Sequence, residues 1–264
     1  FMQKSFIPAQ RRKEIQEYLT THRAARLADL STMLNASEAT IRRDLEKLEE
    51  IGFLERTNGG AVLSQRLSRE PEYKERLLDN PDLKRIIGQF ATTFIEDGDV
   101  VFINGGTTAT EIIRHIPPNA NITVITNNLI AALEIDHIGY ELILLGGIYQ
   151  PTSHSVGGYF SNENLKQVYA DKTFIGVDGI SLKYGCTFPT SAEAEVVRTM
   201  MGRTRGPVYV VADNNKWGTV SNYQVAEIEK IHRLITDAGL DIPARESLAE
   251  QSVEVLIAGD DVDR

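Results

Sequence analysis

Apolar residues recur at helical spacing in three short stretches near the start of the chain. In PAQRRKEIQEYLTTH (8–22), Ile15 and Leu19 form a stripe with Tyr18 beside it, and Pro8 suits a first helical turn. Leu27, Leu30 and Leu34 predict a short second helix over 26–34, followed by a turn at Asn35 and Ala36. Ser37 is a good N-cap for a third helix, on which Ile41, Leu45 and Leu48 share a face as far as Glu50; Gly52 then stops it. The pattern next changes to that of extended chain. Phe53–Thr57 and Ala61–Leu63 read as two strands joined by the tight turn Asn58-Gly59-Gly60.

Residues 64–82 are polar with two prolines and read as a linker into a helix that runs to about Ile95, with Lys84, Ile87, Phe90 and Ala91 at helical spacing. Beyond it, seven short apolar runs alternate with helical patterns: VVFIN (100–104), ITVIT (122–126), LILLG (142–146), KTFIGV (172–177), VYVVAD (208–213), HRLIT (232–236) and VEVLI (253–257). Runs of this kind, rich in β-branched residues and separated by helices, predict an α/β domain built on a mainly parallel sheet. The expected organisation is a three-helix-and-hairpin module over 1–63, a linker over 64–82 and an α/β domain over 83–264.

Length and composition agree. A chain of 264 residues with 42% hydrophobic and 25% charged residues accommodates about two globular domains. No run approaches the ~20 apolar residues that span a bilayer, and residues 1–14 lack the apolar core of a secretion signal, so a cytoplasmic location without membrane partners is expected. A single cysteine, Cys186, excludes an internal disulfide and a cysteine-based zinc cage, and no cofactor or metal is expected. The net charge of −9 is unevenly spread: residues 1–63 hold 10 basic and 9 acidic residues, whereas the remainder holds 18 and 28. An acidic body beside a near-neutral module argues against a general polyanion binder. It leaves room for a module whose positive charges cluster on one face.

The third helix offers such a face. Opposite its apolar stripe lie Ala39, Arg43 and Glu46, flanked by Thr40 and Arg42. A recognition helix presents this kind of surface to the major groove, where arginine can bond guanine bidentately and small side chains can touch a thymine methyl. An amphipathic surface helix with solvated arginines would look similar. Three helices followed by a hairpin, however, make a winged helix-turn-helix, and Arg56 and Asn58 sit where a wing meets the DNA backbone or minor groove. The candidate DNA-contacting set is Ser37, Ala39, Thr40, Arg42, Arg43, Arg56 and Asn58, with double-stranded DNA as partner.

In parallel sheets ligands bind beyond the strand C-termini. There the first run is followed by Asn104-Gly105-Gly106-Thr107-Thr108 and a helix, a turn able to offer backbone N–H groups to a phosphate. Asn127 and Asn128, Gly146 and Gly147, Gly176 to Gly179, Asp213 and Lys216 follow other runs and converge on the same edge. Each alone would fit a purely structural turn. His154 could also meet an anion, although lone histidines are more often structural.

Two long stretches resemble the DeoR family of bacterial transcriptional regulators. SEATIRRDLEKLEEIGFLERTNGGAV (37–62) looks like the family's DNA-binding signature, with Asn58 where the family usually has His in the wing. The segments NGGTT, TNNL, LGGIYQPTSHSVGG, DKTFIGVDGIS, EAEV (193–196) and ADNNKWG (212–218) resemble its sugar-phosphate sensor domain, a fold similar to ribose-5-phosphate isomerase. The resemblance implies a repressor of a carbohydrate operon, released by a phosphorylated sugar. Because helix-turn-helix proteins usually bind paired half-sites as dimers, a homodimer or homotetramer assembled by the C-terminal domain is expected. It implies that Gly105 to Thr108 hold the phosphate and that Asp178, Glu193 and Lys216 line the sugar or its phosphate. With Asn104, Asn127, Gly147, His154 and Gly179 these complete the candidate effector set. The sequence departs from the family at Asn104 and at Asn214-Asn215, before Lys216. The alternative is a sugar-phosphate isomerase carrying a DNA-binding appendage. The isomerases use an Asp-Gly-x-Asp loop and a Lys-Gly-Gly segment. This chain has Asp178-Gly179-Ile180-Ser181 and no Lys-Gly-Gly, so the sequence points away from an enzyme. An architectural DNA protein would need a broad positive surface, which this acidic chain lacks.

Overall fold

The computed structural model describes residues 6–57, 59–66, 71–135 and 139–259. Its first helix, α1 (Pro8–His22), starts on the expected proline and buries Ile15 and Leu19. A short strand, β1 (Ala24–Arg26), precedes α2 (Leu27–Leu34), which ends on Asn35 in the left-handed conformation. The third helix, α3 (Glu38–Glu50), is capped by the Ser37 hydroxyl, which accepts from the Thr40 N–H at 3.3 Å. Gly52, at φ 75°, turns the chain into β2 (Leu54–Thr57) and β3 (Gly60–Leu63).

The hairpin pairs antiparallel, with Leu54 opposite Leu63, and β1 adds to it as a third strand. Periodicity had placed residue 26 in the second helix; pairing of 24–26 with the wing makes it strand instead. Ile15, Leu19, Leu30, Leu34, Ile41, Leu45 and Leu48 close one core over Leu54 and Ala61. The signature aspartate, Asp44, is buried and bonds the Arg11 Nε, so a paired charge pins α1 to α3.

Residues 64–82, which lack a repeating apolar pattern, nevertheless hold two elements. The strand β4 (Gln65–Arg66) is followed by α4 (Tyr73–Leu78), which opens with a reciprocal capping box between Glu72 and Glu75. The chain continues through α5 (Pro81–Thr92), β5 (Val100–Ile103), α6 (Thr107–His115), β6 (Thr123–Thr126), α7 (Leu129–Glu134) and β7 (Glu141–Leu144). A hairpin of β8 (Ile148–Gln150) and β9 (Ser155–Gly157) leads to α8 (Tyr159–Leu165), β10 (Lys172–Gly176), β11 (Gly179–Ser181), β12 (Gly185–Phe188) and α9 (Ser191–Gly202). The last elements are β13 (Val208–Val211), a single helical turn at 214–216, β14 (Thr219–Val220), β15 (Tyr223–Ala226), β16 (Arg233–Thr236), α10 (Ile242–Glu250) and β17 (Glu254–Ile257).

The seven apolar runs form one sheet in the order β17-β16-β13-β10-β5-β6-β7, with every pairing parallel. Alternate residues feed two cores: Val101, Ile103, Tyr209 and Val211 pack under α5 and α6, while Phe102 packs towards α8 and α9 and Val208 and Val210 towards α9 and α10. Burial on both faces explains why the five inner strands read as continuous apolar runs; the edge strands β7 and β17 are only partly buried. The chain winds outward from β5 to β7, then returns to β10 and winds the other way to β17. The sheet's switch point therefore lies between β5 and β10, and a crevice opens there beyond their C-termini.

A small antiparallel sheet, β11-β12-β15, and the parallel pair of β14 with β4 carry the N-terminal module. Lys183 N–H donates to the buried Glu55 carboxylate at 3.1 Å, and Ala24 and Val62 join the core built around Ile180, Cys186 and Trp217. Gly218, at φ 77°, passes so close to Leu63 that a Cβ would lie 2.0 Å from its carbonyl oxygen. Among the described residues no helix is long and apolar enough to cross a membrane.

Candidate functional site

The switch-point crevice is lined by Gly105 to Thr108 from the turn between β5 and α6, Gly176 to Asp178 after β10, Phe188, Glu193, Lys216 and Arg76. The Gly-rich turn is shaped by side chains beneath it. Asn104 is buried and spans the switch point, with its Nδ2 donating to Gly176 O at 2.9 Å and its Oδ1 accepting from Gly176 N–H at 2.8 Å. The Asn127 Oδ1 accepts from Gly105 N–H at 2.8 Å, and its Nδ2 donates to Val156 O at 2.9 Å. Both asparagines spend their polar atoms on backbone, so they form the frame of the crevice and do not line it. Gly106 caps α6 at φ 128°, a conformation reserved in practice for glycine, and leaves the first N–H groups of that helix at the crevice floor.

The walls carry charge of both signs. Arg76 Nη1 donates to Asp178 Oδ1 at 3.3 Å, with both side chains buried. Glu193 sits in the first turn of α9, tied at both ends to Thr190. Burial, reinforced by the Asp178 charge, pushes its carboxyl above the ordinary value. Lys216 rides on the turn at 214–216, which Asp213 caps by accepting from Asn215 N–H at 3.1 Å. Cations, backbone donors and two acids therefore face a single small space. Its free volume is about 20 Å³, room for one water. A larger cavity of about 460 Å³ lies elsewhere, in the seam between the two domains, where Glu55 and Leu54 face Lys183 and Ser221.

Three other sequence candidates lie outside this space. Gly179 belongs to β11 and is required by a close approach to Thr219 O. Gly147 packs where a Cβ would strike Ser161 and Gly157. His154, at φ 51°, accepts or donates at 2.6 Å to the Tyr149 hydroxyl and meets Tyr73 edge-on at 5.4 Å. These contacts, rather than the crevice, account for the three residues.

On the N-terminal module Ser37, Ala39, Arg42 and Arg43 are exposed and Thr40 is half-exposed along one side of α3. Arg42 lies 3.8 Å from Glu38, one helical turn away, and among the described residues Arg43 makes no ion pair. Arg56 is clasped instead, by Glu46 at 3.0 Å and Glu49 at 2.8 Å, which braces the wing against α3. Asn58 lies outside the described residues.

Comparison with known proteins decides the family. Residues 11–66 match the DeoR-like helix-turn-helix domain, and residues 79–238 match the DeoR C-terminal sensor domain. This chain belongs to the DeoR family. It is 33% identical over 250 residues to the HTH-type transcriptional regulator GlpR of Haloferax volcanii, covering 95% of this chain and 98% of that protein. It is 35% identical over 249 residues to the HTH-type transcriptional repressor GlcR of Bacillus subtilis, covering 94% and 95%. Among solved structures it is similar to ribose 5-phosphate isomerase A of Methanocaldococcus jannaschii, at 16% identity and a TM-score of 0.39, over 53% of this chain and 55% of that one. The chain is thus a transcriptional regulator with a DNA-binding module and a sensor domain.

The sequence reading of this DeoR-family chain missed the crevice's cover. Arg76 lies on α4, Asn80 immediately before α5 and Lys84 on α5, in and beside the segment read as a linker. Lys84 is buried, with its ammonium bonded to the carbonyls of Arg76 and Asp79, and burial lowers its pKa. Asn80 donates to Asp213 Oδ1 at 3.2 Å, joining the cover to the Lys216 turn. The available signal was a cation, Arg76, in YKERLL, a short helix with a capping glutamate on either side of its first turn.

Proposed function

We propose that this regulator represses a carbohydrate-catabolism operon, and that it leaves its operator when a phosphorylated sugar or sugar derivative occupies the switch-point crevice. The observation that carries this reading is the crevice's chemistry. The N-terminus of α6 and the Gly105–Thr108 turn, with Arg76 and Lys216 beside them, suit an oxyanion. Asp178 and Glu193 opposite suit hydroxyl donors. A ligand with a phosphate at one end and hydroxyls at the other satisfies both walls. Ser37, Ala39, Thr40, Arg42 and Arg43 would meet the major groove, with Arg43 as the principal base contact. No catalytic step is assigned: the position three residues after Asp178 is Ser181, buried and accepting from Tyr184 N–H at 2.9 Å, which supplies no general base.

The route from crevice to DNA is short. Lys216 is followed by buried Trp217, by Gly218 against Leu63 at the end of the wing, and by β14 paired with β4. The crevice's free volume is about 20 Å³, so on this reading Arg76 and Asp178 part to admit a sugar phosphate. The effector therefore binds an opened state, and its affinity for that state over the closed one sets how far DNA binding falls. A coupling of ~1–3 kcal/mol changes affinity about 5–150-fold, and a homodimer or homotetramer on paired half-sites multiplies it.

Fluorescence anisotropy tests the reading. A duplex selected by the protein from a random pool is titrated with and without a panel of sugar phosphates. One phosphorylated sugar is expected to release the duplex from the wild type and not from Lys216→Ala, which still binds DNA. Release by a non-phosphorylated sugar alone, or by none of the panel, would contradict it.

A further inference from the structure

The two edges of the seven-stranded sheet differ. At β17 the outer edge carries Glu254, paired with Arg233 at 2.6 Å. At β7 the outer strand is Glu141-Leu-Ile-Leu144, and among the described residues nothing pairs with its free side. An unprotected apolar edge strand is a template for another chain. Around it stand Ile143 and Leu144, about two-fifths exposed, then Ile148 at 64% and Tyr149 on β8, and Tyr159 at 71% and Phe160 at 68% on α8.

These side chains form one patch. Gly146 O accepts from Ser161 Oγ at 2.7 Å, bringing α8 to the end of β7. A Cβ on Gly158 would lie 3.3 Å from Ile148, and the rings of Tyr159 and Phe160 are 5.8 Å apart. At roughly 200 Å² for a full large side chain, the six expose on the order of 700 Å². That exceeds the patches of about 300–600 Å² usual on monomers and approaches the ~800 Å² per partner of a standard interface.

We propose that this patch is the twofold interface of a homodimer, with β7, β8 and α8 of one protomer against the same elements of a second copy. Area and symmetry favour an identical partner here. The chain as a whole is at −9; of the carboxylates at the patch, Glu163 is paired with Lys166 at 2.6 Å and Glu134 with Arg114, while Glu141 at the start of β7 accepts from the Thr123 hydroxyl at 3.1 Å. An isologous contact presents the same apolar patch from both copies, and a winged helix reading paired half-sites needs the twofold. The interface also absorbs two candidates that the crevice did not. Gly147 allows the tight packing of β8 on α8, and His154 links patch residue Tyr149 to Tyr73 on α4, which bears Arg76.

The inference rests on the regulator reading only for its symmetry, and its test uses neither effector nor operator. Sedimentation of the full chain is expected to give twice the 29.4 kDa protomer mass, or a tetramer built from such pairs. Ile148→Glu and Phe160→Glu are each expected to halve that mass while circular dichroism and melting stay near wild type, because both positions are exposed; Tyr159→Ser provides a milder third variant. A monomeric wild type, or variants that keep the wild-type mass, would overturn the interface and leave the crevice reading standing. A dimer that binds no sugar phosphate would do the reverse.

Discussion

The face proposed to read DNA occupies one side of a single helix, with Ala39, Arg42 and Arg43 exposed within five residues of one another. The crevice draws Arg76, Gly106, Asp178, Glu193 and Lys216 from five separate segments and buries most of them. The helix face is already formed, with Arg43 exposed and Arg42 3.8 Å from Glu38 one turn away. The crevice is small, about 20 Å³, and its Arg76 and Asp178 bond each other at 3.3 Å. The proposed switch needs that asymmetry: its output surface stays formed while its input site changes state on binding.

The largest break in this comparison comes from behind the DNA face. Asp44→Ala leaves Arg11 buried without its carboxylate. Such losses cost about 3–5 kcal/mol, so the N-terminal module should melt before the sensor domain, seen as an early transition in a circular-dichroism melt. A single unshifted transition would mean that the pair contributes little.

An intermediate effect comes from the face itself. Arg43→Ala should weaken binding to the selected duplex by roughly 1–3 kcal/mol without moving the melting temperature. An unchanged affinity would make Arg43 a solvated side chain.

The smallest effect belongs to the crevice. The raised pKa of Glu193 means that folding favours its protonated form. The stability this provides is intact below the ordinary carboxylate value of 4.5 and is lost as pH rises through the folded-state value. Glu193→Gln, which keeps an acceptor for Thr190, should therefore raise the melting temperature at neutral pH. The gain should shrink as pH falls through the raised folded-state value and be gone below 4.5. A gain independent of pH would place its origin elsewhere.

How much could be read from sequence follows the same division. The recognition face was legible because it depends on 3.6-residue periodicity, the Ser37 cap and the Gly52 stop, all within sixteen residues. The five inner strands were legible because burial on both faces leaves apolar runs, and the edge strands β7 and β17 because they are apolar despite partial exposure. Gly105 to Thr108, Asp178, Glu193 and Lys216 were found as strand-end residues or through family resemblance. Their convergence depends on strand order, which places β10 beside β5 across 68 intervening residues. Asn104 and Asn127 were named but not understood, since side chains that bond only backbone look the same in sequence as those that bond ligand. Arg76 was missed because α4 is six residues long and held by the capping box and buried contacts, none of which leaves a periodic signal. Arg56 was placed correctly on the wing, yet its partners Glu46 and Glu49 lie on α3, ten and seven residues earlier.

The claim that the crevice is the input of the switch is tested most directly by a thermal shift. The wild type is melted against matched pairs of sugars, with and without a phosphate, and the same pairs are applied to Asp178→Asn and Lys216→Ala. One phosphorylated sugar should stabilise the wild type by about 2.7 kcal/mol at 100 times its dissociation constant, its unphosphorylated partner should not, and both substitutions should remove the gain. Equal stabilisation by the sugar lacking phosphate, or a gain untouched by either substitution, would contradict the account.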